Sequence, residues 1–221
     1  MGIISIEHTD RLFWLGRYSE RVYTTLRFFS EQYDSMLDLK DEEYKDFCVR
    51  QDIPDIYQSA EDFSARYCFD EKDPNSIFSN LTRAYDNAVV MREEIGSMTL
   101  SYIQMAVYAM NKAKQSNAPI FELLRVRDNI VAFWGTVDDS IDDEHIRSMI
   151  KLGKRVERLD LYARMHMARE ELVREVTKLN RRIDRTGLPY SKKCLAHINY
   201  LVENEEVDYG ELVKEVEELM S

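Results

Sequence analysis

Apolar residues in this chain recur every three or four positions over long runs, a spacing that only a helix gathers onto one buried face. Leu12, Leu15, Ser19, Val22, Leu26, Phe29, Tyr33 and Met36 step this way, with Ser19 the only polar member. They predict a long first helix over roughly 8–37, begun by Thr9 or Asp10 as N-cap. Leu81, Ala84, Ala88, Met91, Ile95, Met98 and Tyr102 predict a second over 76–113, opened by Ser76 and bent at Gly96. Met149, Leu152, Val156, Leu159 and Ala163 predict a third over 142–184, closed by the Gly and Pro of TGLP (186–189).

Shorter helices fill the intervals. Residues 41–50 and 55–67 read as acidic helices, 119–134 as a helix with Pro119 in its first turn, and 190–204 and 207–220 as the last two. Residues 135–145, GTVDDSIDDEH, read as an acidic connector. With 44% hydrophobic residues, 32% charged, 7 Gly and 4 Pro in 221 residues, a disordered or collagen-like chain is excluded. The expected fold is all-α: one domain over 1–221, a bundle of seven to eight helices around three long ones.

Charge narrows function. The net charge of −11 argues against a nucleic-acid binder. It is unevenly spread, because residues 147–193 carry +8 and leave −19 for the rest. No run is long and apolar enough for a membrane span. The opening residues MGIISIEHTDR lack a signal-peptide pattern, and Cys48, Cys68 and Cys194 form no CxxC, so a reducing cytoplasm is the expected location.

The first and third long helices share a motif. Leu15-Gly16-Arg17-Tyr18-Ser19-Glu20-Arg21 aligns with Leu152-Gly153-Lys154-Arg155-Val156-Glu157-Arg158 at an offset of 137, which also pairs His8 with His145 and Arg27 with Arg164. The face opposite the first apolar seam holds Phe13, Gly16, Arg17, Glu20, Thr24, Arg27 and Phe28. Its counterpart holds Ile150, Gly153, Lys154, Glu157, Leu161 and Arg164. A solvated face does not intersperse such apolar residues, so both helices are expected to be covered on two sides. A glycine in mid-helix costs ~1 kcal/mol relative to Ala, which a close helix crossing would offset. Glu20 has Arg17, Thr24 and Arg27 within helical reach, and Glu157 has Lys154 and Arg164. Arg21 and Arg158 point about 100° aside, toward the other helix or the rim. The cluster reads in two ways, as a closed structural ion network or as surplus positive charge offered to an anion.

These residues resemble the alpha-E domain family, a bacterial all-helical family of uncertain biochemical role. Its first motif is similar to residues 12–21, LFWLGRYSER, and its late motif to 151–158, KLGKRVER, with Lys154 where the family usually has Arg. A middle motif is similar to Arg83-Ala84-Tyr85-Asp86-Asn87-Ala88 followed by Arg92, with Tyr85 and Asp86 in place of Arg and Glu. The resemblance implies a helical fold and a place beside ATP-grasp-type ligases and transglutaminase-like peptidases, in making or tagging peptides. It does not imply catalysis by the domain itself.

Other candidates are weaker. Asp138 to Glu144 lacks the central Gly and carboxylate spacing of a calcium loop, and a helix N-terminus accounts for its acids. His8, His145, His166 and His197 show no metal-ligand spacing, no nucleotide or hydrolase motif appears, and no cofactor is expected. Trp14 and Trp134 read as core. The basic run from Arg164 to Arg185 reads as a solvated face, or as a dock for an acidic partner or for the chain's own acidic helices. The leading expectation is an accessory protein that holds a ligase partner or a small anionic substrate through the Glu-Arg cluster. The alternatives are an enzyme using Glu20 or Glu157 as base, and a structural oligomer.

Overall fold

The computed structural model describes residues 6–36 and 41–220, and among them finds ten α-helices and no strand. In chain order they are α1 (Ile6–Met36), α2 (Asp41–Gln51), α3 (Ala60–Phe69), α4 (Ile77–Val90), α5 (Arg92–Lys114), α6 (Pro119–Asp139), α7 (Glu144–Arg164), α8 (Arg169–Ile183), α9 (Lys192–Glu203) and α10 (Tyr209–Glu218). No helix among these residues is long and apolar enough to cross a membrane.

Short polar side chains start most of the shorter helices. The hydroxyls of Ser59, Ser76 and Ser191 and the carboxylates of Asp143 and Asp208 accept backbone N–H groups of α3, α4, α9, α7 and α10. The start of α1 differs from expectation. It begins before Thr9, which lies buried inside the helix.

The count of ten against seven to eight comes from two breaks in helices read as continuous. The second long helix stops at Met91 and resumes as α5, and Gly96 sits inside α5 at φ 77°. That one left-handed residue moves the buried face along by one position. Ile95 is followed inward by Thr99 and Ile103, not by Met98 and Tyr102, and Met98 is exposed.

The third long helix ends at Arg164. The N–H of Met167 bonds to the carbonyl of Tyr162 and that of His166 to Ala163, a Schellman stop with His166 at φ 52°. The stretch read as an acidic connector is mostly helix, since 135–139 belong to α6 and 144–145 to α7. Trp134 is core as expected; Trp14, 40% exposed, is not.

Helices α1 and α7 lie side by side between two apolar cores. The first core joins the α1 seam (Leu12, Leu15, Val22, Leu26) to α2–α6 and to Ile146, Met149 and Ile150 of α7. The second joins Phe13 and Phe28 of α1 to Leu152, Val156 and Leu159 of α7 and to α8–α10. Leu212, Val216 and Leu219 belong to it, so the apolar edge of α10 packs within the chain. The seam members Tyr33 and Met36 fall outside the described side chains.

Candidate functional site

The crossing of α1 and α7 is a backbone contact. A Cβ added at Gly16 would stand 2.0 Å from the carbonyl oxygen of Ile150, and one at Gly153 would stand 2.0 Å from that of Phe13. Two helices this close leave no room for side chains between them, so the residues one turn further on reach across.

They do so reciprocally. Glu157 accepts from Arg17 Nε at 2.7 Å and from Arg21 Nε. Glu20 accepts from Arg158 Nε at 2.6 Å and from the Thr24 hydroxyl at 2.7 Å. Both carboxylates are essentially inaccessible. Arg17 thus pairs across the crossing rather than with Glu20 on its own helix, and Arg21 and Arg158 serve the opposite helix rather than the rim. Burial opposes ionisation of Glu157, but the two guanidiniums outweigh it and hold its carboxyl below the usual range. Burial likewise opposes the charge on Arg21 and Arg158, and their carboxylates more than restore it.

The remaining candidates lie at the edges of this pair. Arg164 binds Asp160, at 3.1 Å to each oxygen, and Glu217 rather than Glu157. Arg27 donates to the Tyr162 hydroxyl at 3.0 Å and lies over the rings of Phe28 and Tyr162. Lys154 has no carboxylate within 4 Å among the described residues. Its ammonium sits 3.8 Å from the centre of the Trp134 ring, and burial lowers its pKa to about 7 against the pull of Glu20.

The middle motif does not join the cluster. Arg83, Asp86 and Asn87 line an open groove of about 490 Å³ between α1 and α4, with Glu7, Asp10, Arg11, Trp14 and Tyr18. There Arg17 lies over Trp14, Trp14 stacks on Tyr18, and Arg83 lies over Tyr18. Arg92 sits apart, beyond the Met91 break, and donates to Ser97.

Two groupings escaped the sequence reading, the first because it draws on helices distant in sequence and the second because it forms only where α9 packs against α10. A polar cleft of about 170 Å³ is lined by Arg21, Tyr67, Asn75, Asp160 and Arg164 among others. Burial and the charge of Glu157 push the Asp160 carboxyl up despite Arg164. His197 on α9 lies 3.0 Å from Glu215 and 4.0 Å from Glu211 on α10, a set that could ligate a metal ion. The acidic residues at 138–144 instead act locally. Asp138 pairs with Lys151, Asp143 caps α7, and Glu144 binds Arg147.

No curated protein and no solved structure matches the chain. A family model does, over residues 8–188, described as a predicted alpha-helical domain with a conserved ER motif. Glu-Arg occurs twice in the sequence, at 20–21 and 157–158, and those are the two pairs that interlock across the glycine crossing. The chain belongs to the Alpha-E family.

Proposed function

We propose that this chain is an accessory binding domain of a cytoplasmic ATP-grasp-linked peptide or amide ligation system, with residues 1–221 acting as one unit. In this reading the duplicated Glu-Arg motif clamps α1 to α7, and the groove between α1 and α4 receives the partner or substrate. The observation that carries it is the division of the first motif. Gly16, Arg17, Glu20 and Arg21 are committed to the crossing, whereas Trp14 and Tyr18 from the same ten residues open onto a groove with Arg83, Asp86 and Asn87. Trp14 stacked on Tyr18 under the guanidiniums of Arg17 and Arg83 offers a contiguous aromatic surface rimmed by charge, the composition of a binding surface. Arg11 and Arg83 beside Asp10 and Asp86 suit the two charged ends of a peptide or amino acid, the substrate class that the family's neighbours imply.

The test mixes the purified protein with an ATP-grasp ligase from the same organism and follows complex formation and ADP release. Association with altered turnover, lost on Trp14→Ala or Arg83→Ala at unchanged thermal midpoint, supports the reading. No association and unchanged turnover would overturn it.

A second reading, an enzyme with its own site, is favoured by Asp160 and not by Glu20 or Glu157. Glu157 is held ionised by two arginines and makes a poor base near neutrality. Asp160 is a buried carboxyl with raised pKa, facing a polar cleft with Tyr67 and Asn75. Activity of the protein without a ligase, abolished by Asp160→Asn, would establish it.

A further inference from the structure

Much of the basic run is solvated as expected, with Arg174, Lys178, Arg181 and Arg185 exposed. Its last four cations, Lys178, Arg181, Arg182 and Arg185, join Lys151 and Arg155 of α7 in lining one cleft of about 230 Å³ between α7 and α8. All six are cationic. Carboxylates at the margins answer only part of this charge. Glu175 is shared by Arg155 and Lys178, each at 2.7 Å, and by Arg158 at 3.8 Å. Asp138 takes Lys151, and Glu144, already bound to Arg147, lies 3.7 Å from Arg185. Among the described residues neither Arg181 nor Arg182 has a carboxylate within 4 Å. The half-buried Arg182 donates to the Ser148 hydroxyl at 3.3 Å, and burial with the charges of Arg155 and Arg185 lowers its pKa against the opposing pull of Glu144 and Asp138.

A cleft that gathers six cations against three carboxylates, Asp138, Glu144 and Glu175, stores repulsion that an anion would relieve. The size of the cleft and the chain's charge decide which anion. The cleft lies in the +8 segment, while the rest of the chain carries −19 and repels any long polyanion running beyond it. A compact ligand fits, and guanidinium forks from two helices suit the tetrahedral oxygens of phosphate better than a single carboxylate. We propose that this cleft binds a small phosphate-rich anion, either free or as the phosphate tail of a nucleotide. It shares no residue with the groove between α1 and α4 and stands whether or not that reading survives.

Calorimetric titration of the full chain with phosphate, pyrophosphate, tripolyphosphate, AMP, ATP and citrate, at low and at physiological salt, tests the proposal. Affinity should rise from phosphate to tripolyphosphate and fall with salt. Arg182→Gln should weaken tripolyphosphate binding about tenfold and Arg181→Gln/Arg182→Gln further, while Arg174→Gln, exposed on α8 outside the cleft, changes nothing. ATP bound as tightly as tripolyphosphate, with AMP bound weakly, identifies a nucleotide tail, and tripolyphosphate alone identifies a free anion. The double variant should match or exceed the wild-type thermal midpoint without ligand but lose the rise that tripolyphosphate gives the wild type. The proposal fails if no phosphate compound binds saturably at low salt, if the double variant binds as well as wild type, or if citrate equals tripolyphosphate.

Discussion

Gly16 and Gly153 each face the other helix's backbone across one crossing, with the carbonyls of Ile150 and Phe13 standing 2.0 Å from where a Cβ would be. A methyl group there meets main chain, which cannot rotate aside as a flexible side chain can. Gly16→Ala and Gly153→Ala should therefore destabilise, although alanine is the better helix former by ~1 kcal/mol. Overpacking at ~1–3 kcal/mol or more outweighs that gain. Gly135 is the control, being helical, exposed and free of neighbours within 4 Å. Gly135→Ala should raise the thermal midpoint by about 2–4 °C, and a rise at Gly16 as well would mean the crossing is looser than described.

Glu157 answers two arginines and Glu20 answers one, so the two carboxylates should not be equal. Glu157→Gln leaves Arg17 and Arg21 facing an uncharged group, and breaking such a buried pair costs ~3–5 kcal/mol. For a chain of this size that is about 6–20 °C in midpoint. Glu20→Gln should cost less, since the Thr24 hydroxyl can still bond the amide oxygen. A double-mutant cycle of Arg21→Met with Glu157→Gln should show coupling of ~0.5–3 kcal/mol. Additive single effects would mean the pair is not an energetic unit.

Lys154 carries the clearest pH signature. Its pKa falls from the ordinary 10.5 to about 7 on burial. Between those values the unfolded chain holds a proton that the folded chain has released, so through this residue stability rises as pH increases above 7. Below 7 both states are protonated and the dependence vanishes. Lys154→Met should gain most at pH 6 and lose part of that advantage by pH 8.5, the rest going only as pH approaches 10.5. Equal midpoint–pH slopes for variant and wild type over that range would show that Lys154 stays charged in the fold.

The parts of this fold that were readable in sequence are those written as periodic apolarity. The seam from Leu12 to Phe29 and the serine cap at 76 lie where expected, and the charged faces interspersed with Phe13, Phe28, Ile150 and Leu161 are covered as their composition required. The breaks were not readable, because backbone hydrogen bonds make them without the usual residue. The stop after α7 uses His166 where Gly is the common signal. At Gly96 the signal was present but not its consequence, a one-residue shift of the buried face. Of the eight residues expected in the cluster, Arg17, Glu20, Arg21, Glu157 and Arg158 meet at the crossing, whereas Arg27, Lys154 and Arg164 turn to other partners, and the pairing was not legible. Whether Arg17 meets Glu20 or Glu157 depends on how near α1 and α7 approach, which the spacing within either helix does not state.

The two tryptophans should separate cleanly. Trp134 is buried under Lys154, so Trp134→Ala should cost ~3–5 kcal/mol. Trp14 lies in the open groove, and Trp14→Ala should cost less than ~1 kcal/mol. A comparable loss at Trp14, seen by thermal unfolding, would assign the groove a structural role and remove the main support for ligand binding there.

Asp52 and His166 both hold φ of 52° as the residue after a helix end, each in a Schellman arrangement. At Asp52 the N–H of Ile53 bonds to Cys48 and that of Asp52 to Val49, repeating the Met167 and His166 pattern. A left-handed conformation costs a side-chain-bearing residue ~1–2 kcal/mol, and glycine removes that strain while returning ~0.5–1 kcal/mol of chain entropy to the unfolded state. Asp52 is exposed, so Asp52→Gly should stabilise by ~0.5–1 kcal/mol. His166 differs because its ring stacks on Tyr209 at 4.4 Å, a contact worth ~0.5–1.5 kcal/mol. His166→Gly should therefore come out near neutral by chemical denaturation, and His166→Gly in a Tyr209→Ala background should stabilise as Asp52→Gly does. Equal gains at His166 in both backgrounds would show that the ring contact contributes nothing.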